Sequence, residues 1–214
     1  TTYSAIARIS PLGAAEIVPN FEGDQTTPSV VYFEAPGSAV VGQEAKNMAV
    51  MEPDNTSMLI KRHMGTEYEQ IFQGETYTPE AISAMILKEL VTAANQESGA
   101  EASKVVITVP AYFGVQEKEA TRQAGQMAGL DVVGIVTEPV AAALSIGLRE
   151  GAPETIMVYD LGGGTFDTTI MKVDKGSVEV VAVDGNRLLG GADWDAALMD
   201  LIAEKFIEAA DLGD

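Results

Sequence analysis

The 214-residue sequence contains no cysteine, one histidine and one tryptophan. Without thiols there are no disulfides and no thiolate metal sites, although the compartment stays open. Positive charge is scarce: 13 Lys and Arg stand against 32 Asp and Glu, a formal charge of -19. Such a balance repels phosphate backbones and anionic membranes, so neither nucleic acid nor a membrane is an expected partner. No apolar run reaches the roughly 18 residues needed to span a bilayer, and no basic, apolar, small-residue leader opens the chain. An initiating methionine is also missing: the sequence starts at Thr1 inside a strand-like run, as a fragment would. What is present is 46% hydrophobic residues and a mean hydropathy of +0.10, enough for one or two cores in a soluble globular protein.

The most informative stretch is Thr155 to Ile170, an apolar run that carries Asp160 into Gly162, Gly163, Gly164, Thr165 and Asp167. Three consecutive glycines let the backbone turn tightly and bring bare N–H groups against an anion. Asp160, at the end of the strand, suits the cation that accompanies phosphates. A hairpin with a glycine-rich turn and two exposed aspartates would read the same way. No Gly-x-x-x-x-Gly-Lys-Ser/Thr occurs, and the glycines lead into the alternating run Thr165 to Val173 rather than a helix, which disfavours P-loop and Rossmann sites. An anionic protein that binds a nucleotide must neutralise it locally, with a divalent cation and a few placed lysines.

Periodicity gives the rest of the order. Thr1 to Ile9 and Ala14 to Val18 read as a hairpin, Phe21 to Pro28 as a loop and Ser29 to Phe33 as a strand, followed by a mixed section through Gly74. Thr78, Pro79 and Glu80 announce a helix to about Gln96, with Ile82, Met85, Ile86, Leu90, Ala93 and Ala94 on one face. Strand, helix, strand, helix follow at Val105 to Val109, Val115 to Ala128, Val132 to Val136 and Pro139 to Leu148, an α/β order. Three strands come next, at Thr155 to Tyr159, Phe166 to Val173 and Val178 to Val183, before a last helix opened by Gly190 and Gly191. Thr1 to Ile9 also aligns without gaps on Thr165 to Val173, as two related lobes with facing phosphate turns would.

Four motifs occur in an order and spacing that resemble the DnaK-like seventy-kilodalton heat-shock chaperone family. They are Val106-Ile-Thr-Val-Pro-Ala-Tyr-Phe113, Ala120-Thr-Arg-Gln-Ala-Gly125, Glu138-Pro-Val-Ala-Ala-Ala-Leu144 and Val158-Tyr-Asp-Leu-Gly-Gly-Gly-Thr-Phe-Asp167. Ile60-Lys-Arg-His-Met-Gly65 and Gly190-Gly-Ala-Asp-Trp-Asp195 extend the likeness nearly end to end, and the short connection from Gly65 to Thr78 resembles the Gram-positive version. The resemblance implies an α/β, actin-like (ribonuclease H-like) ATPase fold of two lobes, the second incomplete. Residues 1–150 would form the first lobe, with a small subdomain inserted at about 34–103, and residues 151–214 the start of the second. It further implies ATP or ADP with magnesium and potassium ions, and ATP hydrolysis coupled to peptide binding by a separate C-terminal domain. A J-domain co-chaperone, a nucleotide exchange factor and a bacterial cytoplasmic setting belong to the same picture.

Residue by residue, the resemblance assigns Thr1, Thr2 and Tyr3 to a first phosphate loop whose leading Asp-Leu-Gly is lost, and Gly162, Gly163, Gly164, Thr165, Gly190 and Gly191 to further nucleotide contacts. Lys61 matches the lysine that contacts the γ-phosphate and positions the attacking water. Asp160 and Glu138 match the acidic groups around magnesium, Glu138 chiefly through water. Thr165 and Asp167 match the pair ordering phosphates, water and potassium. Pro110 and Lys118 match a relay of nucleotide state in which lysine replaces the usual arginine. Gly114 and Val115 replace Asn-Asp, and Ala192 takes a usually acidic place. With the adenine-binding segments beyond Asp214, this chain alone is expected to bind nucleotide weakly and hydrolyse little.

Plainer readings compete. Lys61, Arg62 and His63 would suit a solvated turn, with His63 structural; Glu138 would suit a helix start; Tyr3 would serve as a strand aromatic and Trp194 as core or cleft lining. A sugar or acetate kinase of the actin fold, or a non-enzymatic actin-like assembly domain, would share the Asp-x-Gly turns.

Overall fold

A computed structural model describes residues 2–99, 101–145, 153–174 and 177–210. The expected first strand is two: β1 (Tyr3–Ser4) and β2 (Ile6–Ile9), separated at Ala5. β2 forms the anticipated hairpin with β3 (Ala15–Val18), Ile6 opposite Val18, whereas β1 lies antiparallel to β4 (Thr27–Pro28). Alternation marks both strands correctly but does not choose their partners, so the break is invisible in the sequence.

The strand expected at Ser29 to Phe33 is β5 (Val31–Ala35), and the mixed section resolves into β6 (Ser38–Val41), α1 (Gln43–Met48), β7 (Thr56–Ser57), a 3-10 turn at Ile60–His63 and the hairpin of β8 (Gln70–Phe72) and β9 (Glu75–Tyr77). β5 is the centre of a three-stranded sheet in the order β6-β5-β7. α2 (Pro79–Ser98) starts as the sequence specifies: Thr78 Oγ1 accepts the Ala81 amide at 3.3 Å, Pro79 occupies the first position, and Gly99 ends the helix in the left-handed region. Its Ile82, Ile86 and Leu90 bury against Val31, Phe33, Ile60 and Phe72, with the Phe33 and Phe72 rings stacked at 4.3 Å. Ile60 thus anchors the 3-10 turn in the core while its neighbours remain free to reach elsewhere.

β10 (Lys104–Val109), α3 (Val115–Met127) and β11 (Asp131–Thr137) form a parallel β-α-β unit, and α4 (Glu138–Ser145) follows directly. Residues 146–148 of the expected last turn lie outside the described residues. Gly125 lets α3 close onto the sheet, since a Cβ there would stand 2.4 Å from Val132 Cγ2. Met64, Val109, Phe113, Ala120 and Ala124 make the second core. The chain finishes with the antiparallel sheet β12 (Glu154–Leu161), β13 (Phe166–Asp174) and β14 (Ser177–Asn186), and with α5 (Gly191–Ala209). No residue of α5 is buried. Trp194, expected in a core or lining a cleft, is 52% exposed; the described backbone hydrogen bonds from α5 to the glycine turn come from its first turn. No helix among the described residues is long and apolar enough to cross a membrane.

Candidate functional site

Two hairpin strands and a loop-helix junction bring the acidic groups together. In the β12–β13 register Asp160 stands directly opposite Asp167, one pair before the turn that holds Gly162, Gly163 and Gly164. Directly opposed residues of an antiparallel pair share a face, so two carboxylates are set side by side. Glu138 joins them from the start of α4, where β11 ends. Lys61 reaches across from the 3-10 turn and donates to Glu138 Oε1 at 2.5 Å, both side chains largely shielded. Leu59, in the left-handed region at φ 57°, precedes this turn.

The electrostatics follow from burial and crowding. Asp167 is 1% exposed, and its carboxyl is pushed up to about 6, first by burial and then by Asp160 and Glu138, against the opposing pull of Lys61. Asp160 is raised for the same reasons, burial first and then Glu138. The phenol of Tyr112, beside Thr165, is pushed up to about 12, chiefly by burial. Among the described residues Asp167 Oδ1 is buried without a hydrogen-bond partner, which leaves an acceptor for a bound molecule or water.

The glycine turn is equally constrained. Gly162 N–H donates to Thr165 O at 2.9 Å, whereas the amides of Gly163 and Gly164 donate to no group among the described residues. A Cβ on Gly163 would lie 2.2 Å from Thr2 Oγ1, so the opening segment faces the turn at close range. On the other side Gly191 and Ala192 N–H donate to Gly162 O and Gly163 O at 3.0 and 2.9 Å, and a Cβ on Gly190 would stand 2.5 Å from the Gly163 carbonyl carbon and the Gly164 nitrogen.

The structure therefore gathers Thr2, Lys61, Glu138, Asp160, Gly162, Gly163, Gly164, Thr165, Asp167, Gly190 and Gly191. Thr1 lies outside the described residues. Tyr3 has its hydroxyl and ring on Lys46 of α1, at 2.5 and 4.8 Å, and has no described contact with the carboxylates. His63 stacks on Tyr68 at 3.7 Å, and burial followed by Arg187 and Arg62 holds its imidazole below the usual range, consistent with a structural role. Two groups had no role in the sequence reading: Tyr112, visible there only inside a motif, and Arg62, visible only as one of three basic neighbours. Arg62 Nε donates to Gly164 O at 2.7 Å and its terminal nitrogens to both oxygens of Asp193 at 3.2 and 2.6 Å. Among the described residues no three acidic or histidine side chains are close enough to cage a metal by themselves. The carboxylates instead suit an ion whose charge is shared with a phosphate and water.

A protein-family model described as Hsp70 protein matches residues 1–73 and 69–213. The chain belongs to the Hsp70 family. "Chaperone protein DnaK" of Thermotoga petrophila is 48% identical over 207 residues, covering 96% of this chain and 35% of that protein. The proteins of the same name from Thermotoga neapolitana and Thermosipho africanus are 47% and 46% identical over the same shares. This Hsp70 chain thus spans about a third of the length of the curated relatives it matches, and Lys61, Glu138, Asp160 and Asp167 all fall within the matched residues.

Proposed function

We propose that the chain carries an ATP-binding and ATP-hydrolysing site of an Hsp70 chaperone. The observation that carries this reading is the opposed Asp160–Asp167 pair beneath the glycine turn, flanked by the Lys61–Glu138 pair and faced by Thr2. In an actin-like fold, residues 1–150 form the first lobe, with about 34–103 inserted, and residues 151–214 open the second.

Phosphoryl transfer to water passes through a loose transition state, so the protein contributes position and charge. The amides of Gly163 and Gly164 with the Thr2 and Thr165 hydroxyls bind phosphate oxygens. Lys61, released from Glu138 when a more strongly charged phosphate arrives, donates to the terminal phosphate and orients the attacking water. Asp167, buried with a free oxygen and a raised affinity for protons, holds that water and accepts its proton. Asp160 and Glu138 would hold a magnesium ion, which when bound would supply positive charge against the phosphates, and the orphaned oxygen of Asp167 supports that fit. Thr165 and Asp167 would also hold potassium ions beside the phosphates. Removing Lys61 lowers turnover on the order of 100- to 1000-fold.

In the longer protein this site couples to peptide capture, to a J-domain co-chaperone and to an exchange factor in a bacterial cytoplasm. Because the chain spans 35% of its relatives' length, it binds nucleotide weakly and turns over little alone. Membership of the Hsp70 family favours this reading over a sugar or acetate kinase or an assembly domain. The test is phosphate release from MgATP by this chain and by a form extended to the relatives' length. Release to water by the extended form, reduced by Lys61→Ala, is expected. Transfer to an added sugar or acetate, or no dependence on Lys61, would overturn the reading.

A further inference from the structure

We propose that Arg62 is a positioning residue that sets the anion-binding face of the glycine turn by locking it to the first turn of α5. The inference rests on the phosphate-binding role proposed for that turn.

Three consecutive carbonyls of the turn are restrained: Gly162 O by the Gly191 amide, Gly163 O by the Ala192 amide and Gly164 O by Arg62 Nε. In a trans peptide the C=O of one residue and the N–H of the next point in opposite directions. Turning these carbonyls toward α5 and Arg62 therefore turns the N–H groups of Gly163, Gly164 and Thr165 to the opposite side of the turn. Three successive amides so oriented make the concave nest that holds phosphates. Arg62 serves the helix as well. Its guanidinium grips both oxygens of Asp193, and the same Asp193 Oδ2 accepts the Gly190 amide at 2.8 Å. The arginine side chain is only 11% exposed, so it is a built part of the junction. One planar fork thus fixes a carbonyl of the turn and the cap of the helix, a geometry an ammonium cannot reproduce. Lys61 and Arg62, adjacent in sequence, divide the work: the first meets the acidic cluster, the second the turn.

Amide hydrogen exchange and titration with MgADP, both followed by NMR on the ligand-free 214-residue chain, test this. Arg62→Met should speed exchange of Gly191 and Ala192 at least about tenfold, the scale of one lost charge-assisted hydrogen bond, while amides of the β12–β13 ladder stay protected. Arg62→Lys should recover only part of the protection. Asp193→Asn should mimic Arg62→Met, and the double variant should add little to either. Unchanged exchange in Arg62→Met, or simple additivity, would overturn the proposal. MgADP should bind Arg62→Met about tenfold more weakly, whereas Lys61→Ala, which removes a group meeting the terminal phosphate of ATP, should leave Gly191 and Ala192 protected. Equal MgADP affinity in wild type and Arg62→Met would overturn the positioning role. If wild type fails to bind MgADP while the exchange pattern holds, the lock stands and the nucleotide reading falls.

Discussion

The first 145 residues and the last 60 or so are built on different principles. In the former, α2 and α3 press apolar faces onto strands, and Val31, Phe33, Ile82, Val109 and Ala124 are almost wholly enclosed. In the latter, the ladder of β12, β13 and β14 is well paired, yet most of β14 is exposed and α5 buries nothing. Leu198, Leu201, Ile202 and Phe206 keep their helical spacing but remain half or more exposed. A polar junction at Arg62, Gly164, Asp193 and Gly190 ties the glycine turn and the start of α5 to the earlier region, beside the packing of α4 on β12. The site sits at that seam, so its geometry depends on a few directional contacts more than on a core.

Substitutions can break or sharpen this contrast. The largest effect belongs to Phe33→Ala, which should cost about 3–5 kcal/mol of stability in chemical unfolding, because a stacked, enclosed ring leaves a cavity. Gly190→Ala comes next. Its methyl would collide with Gly163 and Gly164, so a loss on the order of 1–3 kcal/mol is expected, with disturbance confined to the turn and the start of α5 in amide spectra.

Asp167→Asn should act in the opposite direction. Its carboxyl titrates at 3.8 ordinarily and at about 6 in the fold, so between these values the unfolded chain ionises first and the wild type loses stability as pH rises. Below this window both states are protonated and the cost is absent; above about pH 6 it is complete. The variant should therefore unfold at a higher temperature at pH 8, by on the order of 1–2 kcal/mol, and match wild type near pH 3.5. A melting temperature that falls at pH 8 would contradict this. The smallest effect belongs to Phe206→Ala on the exposed face of α5, within about 0.5 kcal/mol.

Much of this was readable from the residues. Thr78 and Pro79 fixed the start of α2, the alternation around three glycines fixed the β12–β13 hairpin, and strand-helix-strand order fixed the parallel pair. What escaped depends on the third dimension. Periodicity in α5 marks the face able to bury but cannot say whether anything covers it, hence the exposed Trp194. The break at Ala5 depends on which strands pair. Arg62 looked like a solvated charge because only the folded seam puts Gly164 and Asp193 within its reach, and Tyr112 gained meaning only when its buried hydroxyl was found beside Thr165.

Calorimetric titration of ADP with and without magnesium, into the wild-type chain and into Asp160→Asn, tests the central claim most directly. Weak, saturable binding that magnesium strengthens in wild type, with that gain absent in Asp160→Asn, is predicted. Binding indifferent to magnesium, or equally strengthened by it in both proteins, would contradict a magnesium-nucleotide site at the seam.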